Sequence, residues 1–190
     1  MNDKRRLVEE VEKFANETFS RPYVDTFLRD LSKPMRTHAI KELFIRLGRT
    51  NNFKSQAGGM STLGIGGEWL YDLIWYEDEI VDGNYFMTNL PLALECEWGV
   101  SVSSSGDVDG DFQKLVQARA EVRVWVTAIA NEELAEKHIR NAQMQASRFK
   151  LSQVDDQYVL IIFVWSSREA LIRKFAVGIH DMLCAPRLAY

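Results

Sequence analysis

Residues 157–165, QYVLIIFVW, limit most strongly what this chain can fold into. β-Branched and aromatic residues dominate the run, which reads as a strand buried in the interior. The apolar stretch YVLIIFVW ends after eight residues, whereas a bilayer-spanning helix needs about 20. Upstream, NEELAEKHIRNAQMQASRFK has the pattern of a helix, and before it RVWVTAI reads as another strand. Strand, long helix and buried strand in succession make a layered α/β domain, with helices packed on a mixed central sheet.

The remaining elements extend this order. Helices are expected near residues 3–18 and 21–31, separated at Arg21-Pro22. A third begins after Pro34, where Ala39, Leu43 and Leu47 recur at helical spacing and Gly48 is a stop signal. QAGGMSTLGIGG is a connector or a poor strand, and EWLYDLIWYE is an aromatic-rich strand. A VDGN turn leads into a strand containing Glu95-Cys96-Glu97. Asp111 is placed to cap a helix FQKLVQARAEV, and REALIRKFAVGIHDML is expected to form a closing helix. No repeat or linker divides the chain, so residues 1–190 are expected to form one domain, with a helical segment at about 1–33 and a core at about 34–190.

Charge is unevenly distributed. Residues 1–54 carry 12 Lys/Arg against 8 Asp/Glu, and residues 114–190 carry 11 against 8. Between them, residues 55–113 contain eleven carboxylates and no Lys or Arg. Such a segment is either a solvated acidic surface or a cation-binding centre whose basic flanks can hold an anionic polymer. The net charge of −4 weighs against a general nucleic-acid coat. Cys96 and Cys184 lie too far apart in sequence to suggest a disulfide framework. The amphipathic N-terminus lacks the apolar core of a signal peptide, so a cytoplasmic location is expected, with no membrane partner.

The chemistry concentrates in LALECEWG, residues 92–99. In a strand, Glu95 and Glu97 share a face with Cα atoms about 6.6 Å apart. Two ionised groups at that distance repel by on the order of 2–3 kcal/mol. Solvent exposure, a cation or protonation of one partner relieves the repulsion. Carboxylates set among Leu, Trp and Tyr on neighbouring strands therefore ask for a partner, either a metal ion or an ion pair.

The order of elements, with Glu42 in AIKELF, Asp72 in EWLYDLIW and Glu95 in LECEW, resembles the PD-(D/E)XK nuclease superfamily, whose fold is restriction-endonuclease-like. The resemblance covers roughly residues 36–130 and rests on short, degenerate motifs. It implies a metal-dependent endonuclease acting on DNA, with Mg²⁺ or Mn²⁺ held by Asp72, Glu95 and Glu97. It also implies a supporting role for the helical Glu42. Glu97 stands where most members carry lysine, so two mechanisms remain. Either Glu97 organises a second ion or the attacking water, as in relatives with E-x-E, or Lys114 on the next helix replaces the lysine. The reading leans towards Glu97, whose face is set by strand geometry. Cutting both strands needs two centres, which makes a homodimer the corresponding expectation. The alternative is a catalytically inactive member of the same fold, acting as a DNA- or protein-binding module.

Other signals are weaker. DVDGD is superficially like an EF-hand loop, but Phe112 occupies the glycine position and Ala118 that of the bidentate glutamate. GIGG precedes its strand, where a dinucleotide fingerprint would follow one. His180 and Cys184 lie one helical turn apart without two further zinc ligands. No G-x-S-x-G nucleophile elbow is present. The five tryptophans are expected in the core.

Overall fold

The computed structural model describes residues 3–65, 67, 70–98 and 110–178. Among these, three helices come first: α1 (Asp3–Thr18), α2 (Arg21–Asp30) and α3 (Lys33–Thr50). A short strand β1 (Lys54–Ala57) follows, then the long hairpin of β2 (Leu73–Val81) and β3 (Asn84–Glu97). Helix α4 (Gly110–Gln117), strand β4 (Val122–Ile129), helix α5 (Glu132–Arg148) and strands β5 (Gln157–Val164) and β6 (Glu169–Ala176) complete the chain. The expected α/β class is observed, as one six-stranded mixed sheet in the order β1-β2-β3-β4-β5-β6.

Among the described strands only β3–β4 and β4–β5 are parallel, and α4 and α5 belong to their two crossovers. Both crossovers step the same way across the sheet. Right-handed connections then place both helices on one face, leaving the other to α1–α3. Strand periodicity supplies the two cores. In β5, Val159, Ile161 and Phe163 pack with Val11, Phe27 and Phe44 of the N-terminal helices. Tyr158, Leu160 and Ile162 face the other way, onto Phe112 and Leu115 of α4 and Ile139 of α5. Small residues Ala135, Ala142 and Ala146 line the inner stripe of α5, whose N-terminus is capped by the Asn131 side chain accepting from the Leu134 N–H.

Three local expectations are corrected. Residues 169–176, expected within a closing helix, form β6, paired antiparallel to β5 over its whole length. The segment alternates Ala170 and Ile172 towards one core with Leu171 and Phe175 towards the other, and the Phe175 ring stacks 4.8 Å from that of Tyr158. Covering the open edge of β5 outweighs the helix propensity of Glu, Ala, Leu and Lys. Helix α4 begins at Gly110, so Asp111 lies in its first turn rather than at the cap. That helix ends at Gln117, where the Ala118 carbonyl accepts from Nε and Nη2 of Arg123. Gly48 does not stop α3, which runs on to Thr50. Its role is close approach: a Cβ there would stand 2.6 Å from Nε1 of the buried Trp75 indole, which donates to the Phe44 carbonyl. Trp75 and Trp125 are fully buried, while Trp98 and Trp165 pack half-buried against the core. Trp69, His180 and Cys184 lie outside the described residues.

Candidate functional site

Strand β3 runs unbroken to Glu97, which pairs in register with Thr127 of β4. Glu95 and Glu97 therefore share the face that carries Ala93, the face covered by α4 and α5. Asp72 lies one residue before β2, where the β2–β3 ladder ends at Leu73–Leu94. Beyond that point its carboxylate takes over from the ladder, and Oδ2 accepts the Cys96 backbone N–H at 2.9 Å. Asp72 and Glu95 are thus brought to the same end of two adjacent strands.

Lysines approach this pair from both layers. From α3, Lys41 places Nζ 3.1 Å from Asp72 Oδ1 and donates weakly to the Gly58 carbonyl at 3.4 Å. Its side chain is only 7 % exposed. From α4, Lys114 Nζ stands 3.5 Å from Glu95 Oε1 and 2.6 Å from Asp111 Oδ1. The Asp111 contact holds the Lys114 ammonium well charged, its pKa raised above that of an ordinary lysine with further help from Glu95.

Glu95 is the unusual member. Its side chain is 4 % exposed, and its pKa is pushed up to about 8. Desolvation is the largest cause, followed by the negative charge of Asp72; Lys114 offsets part of the shift. Lys41 and Lys114 contribute two positive charges against three negative ones from Asp72, Asp111 and Glu95. Among these five described groups negative charge exceeds positive by one, a difference that a proton on Glu95 offsets.

The five sequence-derived candidates divide. Asp72, Glu95 and Lys114 belong to this network. Glu42 instead pairs with Arg46 one turn along its own helix, at the surface. Glu97 lends its backbone carbonyl to the Thr127 hydroxyl at 2.8 Å. Lys41 and Asp111 are members that motif reading did not single out. Lys41 had a legible signal, because it falls four residues before Ile45 on the buried stripe of α3. A cation there has to find an anion.

The donor set suits a hard cation, since carboxylate oxygens are what Mg²⁺ and Mn²⁺ prefer. Asp72 already spends one lone pair of each oxygen, on Lys41 and on the Cys96 N–H. Among the described residues, no group of three or more His, Cys, Asp or Glu is placed to hold a metal ion. No family model, curated protein or solved structure matches this chain.

Proposed function

We propose that the Asp72–Glu95–Lys114 centre is the hydrolytic site of a divalent-cation-dependent nuclease of the restriction-endonuclease-like type, acting on DNA. The observation that carries this reading is Glu95, a buried carboxylate coupled to Asp72 across two strands and contacted by a lysine from the next helix. Asp72 and Glu95 would hold the ion, which when bound supplies a more acidic water and neutralises charge at the phosphorus. The chain's own groups do the rest. Lys41 fixes the Asp72 carboxylate from behind, and the Cys96 N–H sets its orientation. Lys114, half-exposed and anchored by Asp111, is positioned to meet negative charge developing on a phosphate at the rim of the cluster. Between the two schemes that do without a strand lysine, the 3.5 Å contact with Glu95 favours Lys114 over Glu97 as the group that answers it.

The test is nicking of supercoiled plasmid with Mg²⁺ or Mn²⁺. Wild type should cut, Glu95→Gln should not, and Lys114→Ala should lose at least about a hundredfold in rate. Glu97→Ala should be milder than Lys114→Ala; the reverse order reassigns the role to Glu97.

One observation favours a second reading, a non-catalytic binding module. Both Asp72 oxygens and the Lys114 ammonium already have partners within the protein, as in a structural network. On that reading wild type retains DNA in a salt-dependent manner without cleaving it, whichever divalent ion is supplied.

A further inference from the structure

The β2–β3 hairpin continues past the point where the sheet has neighbours for it. β1 pairs with β2 only as far as Tyr76, and β4 joins β3 only from Leu92. Residues 77–89 therefore form a two-stranded ribbon, and the eight steps from Leu92 back to Asn84 carry it roughly 26 Å beyond the start of β4. Every residue from Glu79 to Thr88 is exposed. They include Ile80, Val81, Tyr85, Phe86 and Met87, at 43 to 73 % exposure. Pairing in register places Ile80, Tyr85 and Met87 on one side of the ribbon and Val81 and Phe86 on the other. An isolated two-stranded ribbon is marginal in water, and an apolar one invites a partner.

A complementary surface lies at the same end of the sheet. Among the described residues, ten large hydrophobic side chains are exposed; five are on the ribbon, and three, Met144, Leu151 and Val154, surround the C-terminus of α5. Arg140 and Arg148 flank Met144 one turn to either side, and Lys150 follows; none of the three has an ion pair among the described residues. Next to them, a cleft of about 460 Å³ opens between the ends of α4 and α5, lined by Phe149, Leu151 and Arg119. That volume admits an aromatic side chain. The ribbon tip has the opposite charge: Glu79 and Asp82 have no ion pair among the described residues, and no Lys or Arg occurs between residues 55 and 113.

We infer that this chain forms a two-fold dimer by reciprocal arm exchange. The β2–β3 ribbon of each copy lies over the α5 C-terminal surface of the other, and Tyr85 or Phe86 enters the cleft. The partner is a second copy because apolar and charged complementarity are both present on one molecule. Ribbon and cleft project from the same end of the sheet, so a two-fold axis lets both arms engage at once and the assembly closes. The inference does not depend on the hydrolytic reading of the Asp72–Glu95 centre.

Sedimentation equilibrium across a concentration series tests it, with circular dichroism melting as a folding control. Wild type should show a monomer–dimer equilibrium. The double variant Tyr85→Ser, Phe86→Ser, altered only at exposed positions, should keep its fold and raise the dissociation constant by about 30-fold or more. Glu79→Lys alone and Arg148→Glu alone should each weaken the dimer, while the two combined in one chain should restore it. A single monomeric species up to millimolar concentration overturns the inference. So does a dimer indifferent to the ribbon substitutions, or a ladder of larger masses in place of closure at two.

Discussion

Buried charge collects at both ends of the sheet, but it is balanced differently at each. Where β4 and β5 begin, Arg123 meets Asp156 at 3.2 Å, one positive charge against one negative. Arg123 also donates to the Ala118 carbonyl and lies 5.2 Å from the Tyr158 ring centre, while Asp156 accepts from the Gln153 N–H. That pair ends α4, turns the chain into β4 and ties β5 to the loop before it. At the C-terminal end of β3, Lys41 and Lys114 pair with Asp72, Asp111 and Glu95, and among these described groups Glu95 is the carboxyl whose pKa is raised. Balanced charge at one end fixes the chain. The raised Glu95 pKa at the other end marks the candidate site, where on the proposed reading a cation would replace the proton.

Breaking the balanced pair should have the largest effect. Arg123→Met leaves Asp156 buried without its cation and should cost about 3–5 kcal/mol in urea unfolding. Glu95→Gln, by contrast, removes the need to take up a proton on folding and should leave stability at pH 7 unchanged or higher. Equal losses in the two variants would erase the distinction.

The pH dependence of stability should sharpen it. The folded-state pKa of Glu95, about 8, lies above the ordinary 4.5, so between those values the folded chain holds a proton that the unfolded chain has released. The contribution of Glu95 is therefore most favourable below about pH 4.5, falls as the pH rises, and levels off above about pH 8. The slope is at most about 1.4 kcal/mol per pH unit, and over the whole window the loss is on the order of 5 kcal/mol. Subtracting the Glu95→Gln stability curve from that of wild type should isolate this term. A flat difference would mean that Glu95 is ionised and paired.

How far the sequence alone disclosed this contrast depends on the range of the forces involved. Strands β4 and β5 and helix α5 were legible because their periodicity is local. β6 was not, since EALIRKFA becomes a strand through the edge of β5 and the Tyr158 ring. Asp72 and Glu95 were legible as acids in apolar strands. Lys41 shows itself locally only as a cation on the buried stripe of α3, because its partner lies 31 residues away in sequence, across two layers. Glu42 fits a motif position, yet its carboxylate finds Arg46 within a single helical turn.

Divalent ions should act at the unbalanced end only. With Mg²⁺ or Mn²⁺ at a hundredfold excess over Kd, wild type should gain about 2.7 kcal/mol, read as a rise in melting temperature. Arg123→Met, weaker overall, should keep that increment, whereas Glu95→Gln should lose it. The smallest effect belongs to Glu42. Its exposed pair with Arg46 places it outside both clusters, so Glu42→Ala should change stability by less than about 1 kcal/mol and leave the ion response intact.

The most direct test of the central claim counts protons. At pH 7 a carboxyl with a pKa of about 8 is mostly protonated, and a cation binding there has to displace that proton. Calorimetric titration with Mn²⁺ in buffers of different ionisation enthalpy should show close to one proton released per ion bound by wild type and almost none by Glu95→Gln. Binding of Mn²⁺ with no proton release, or equal release from both proteins, would contradict the assignment of Glu95 as the unbalanced carboxylate of a cation site.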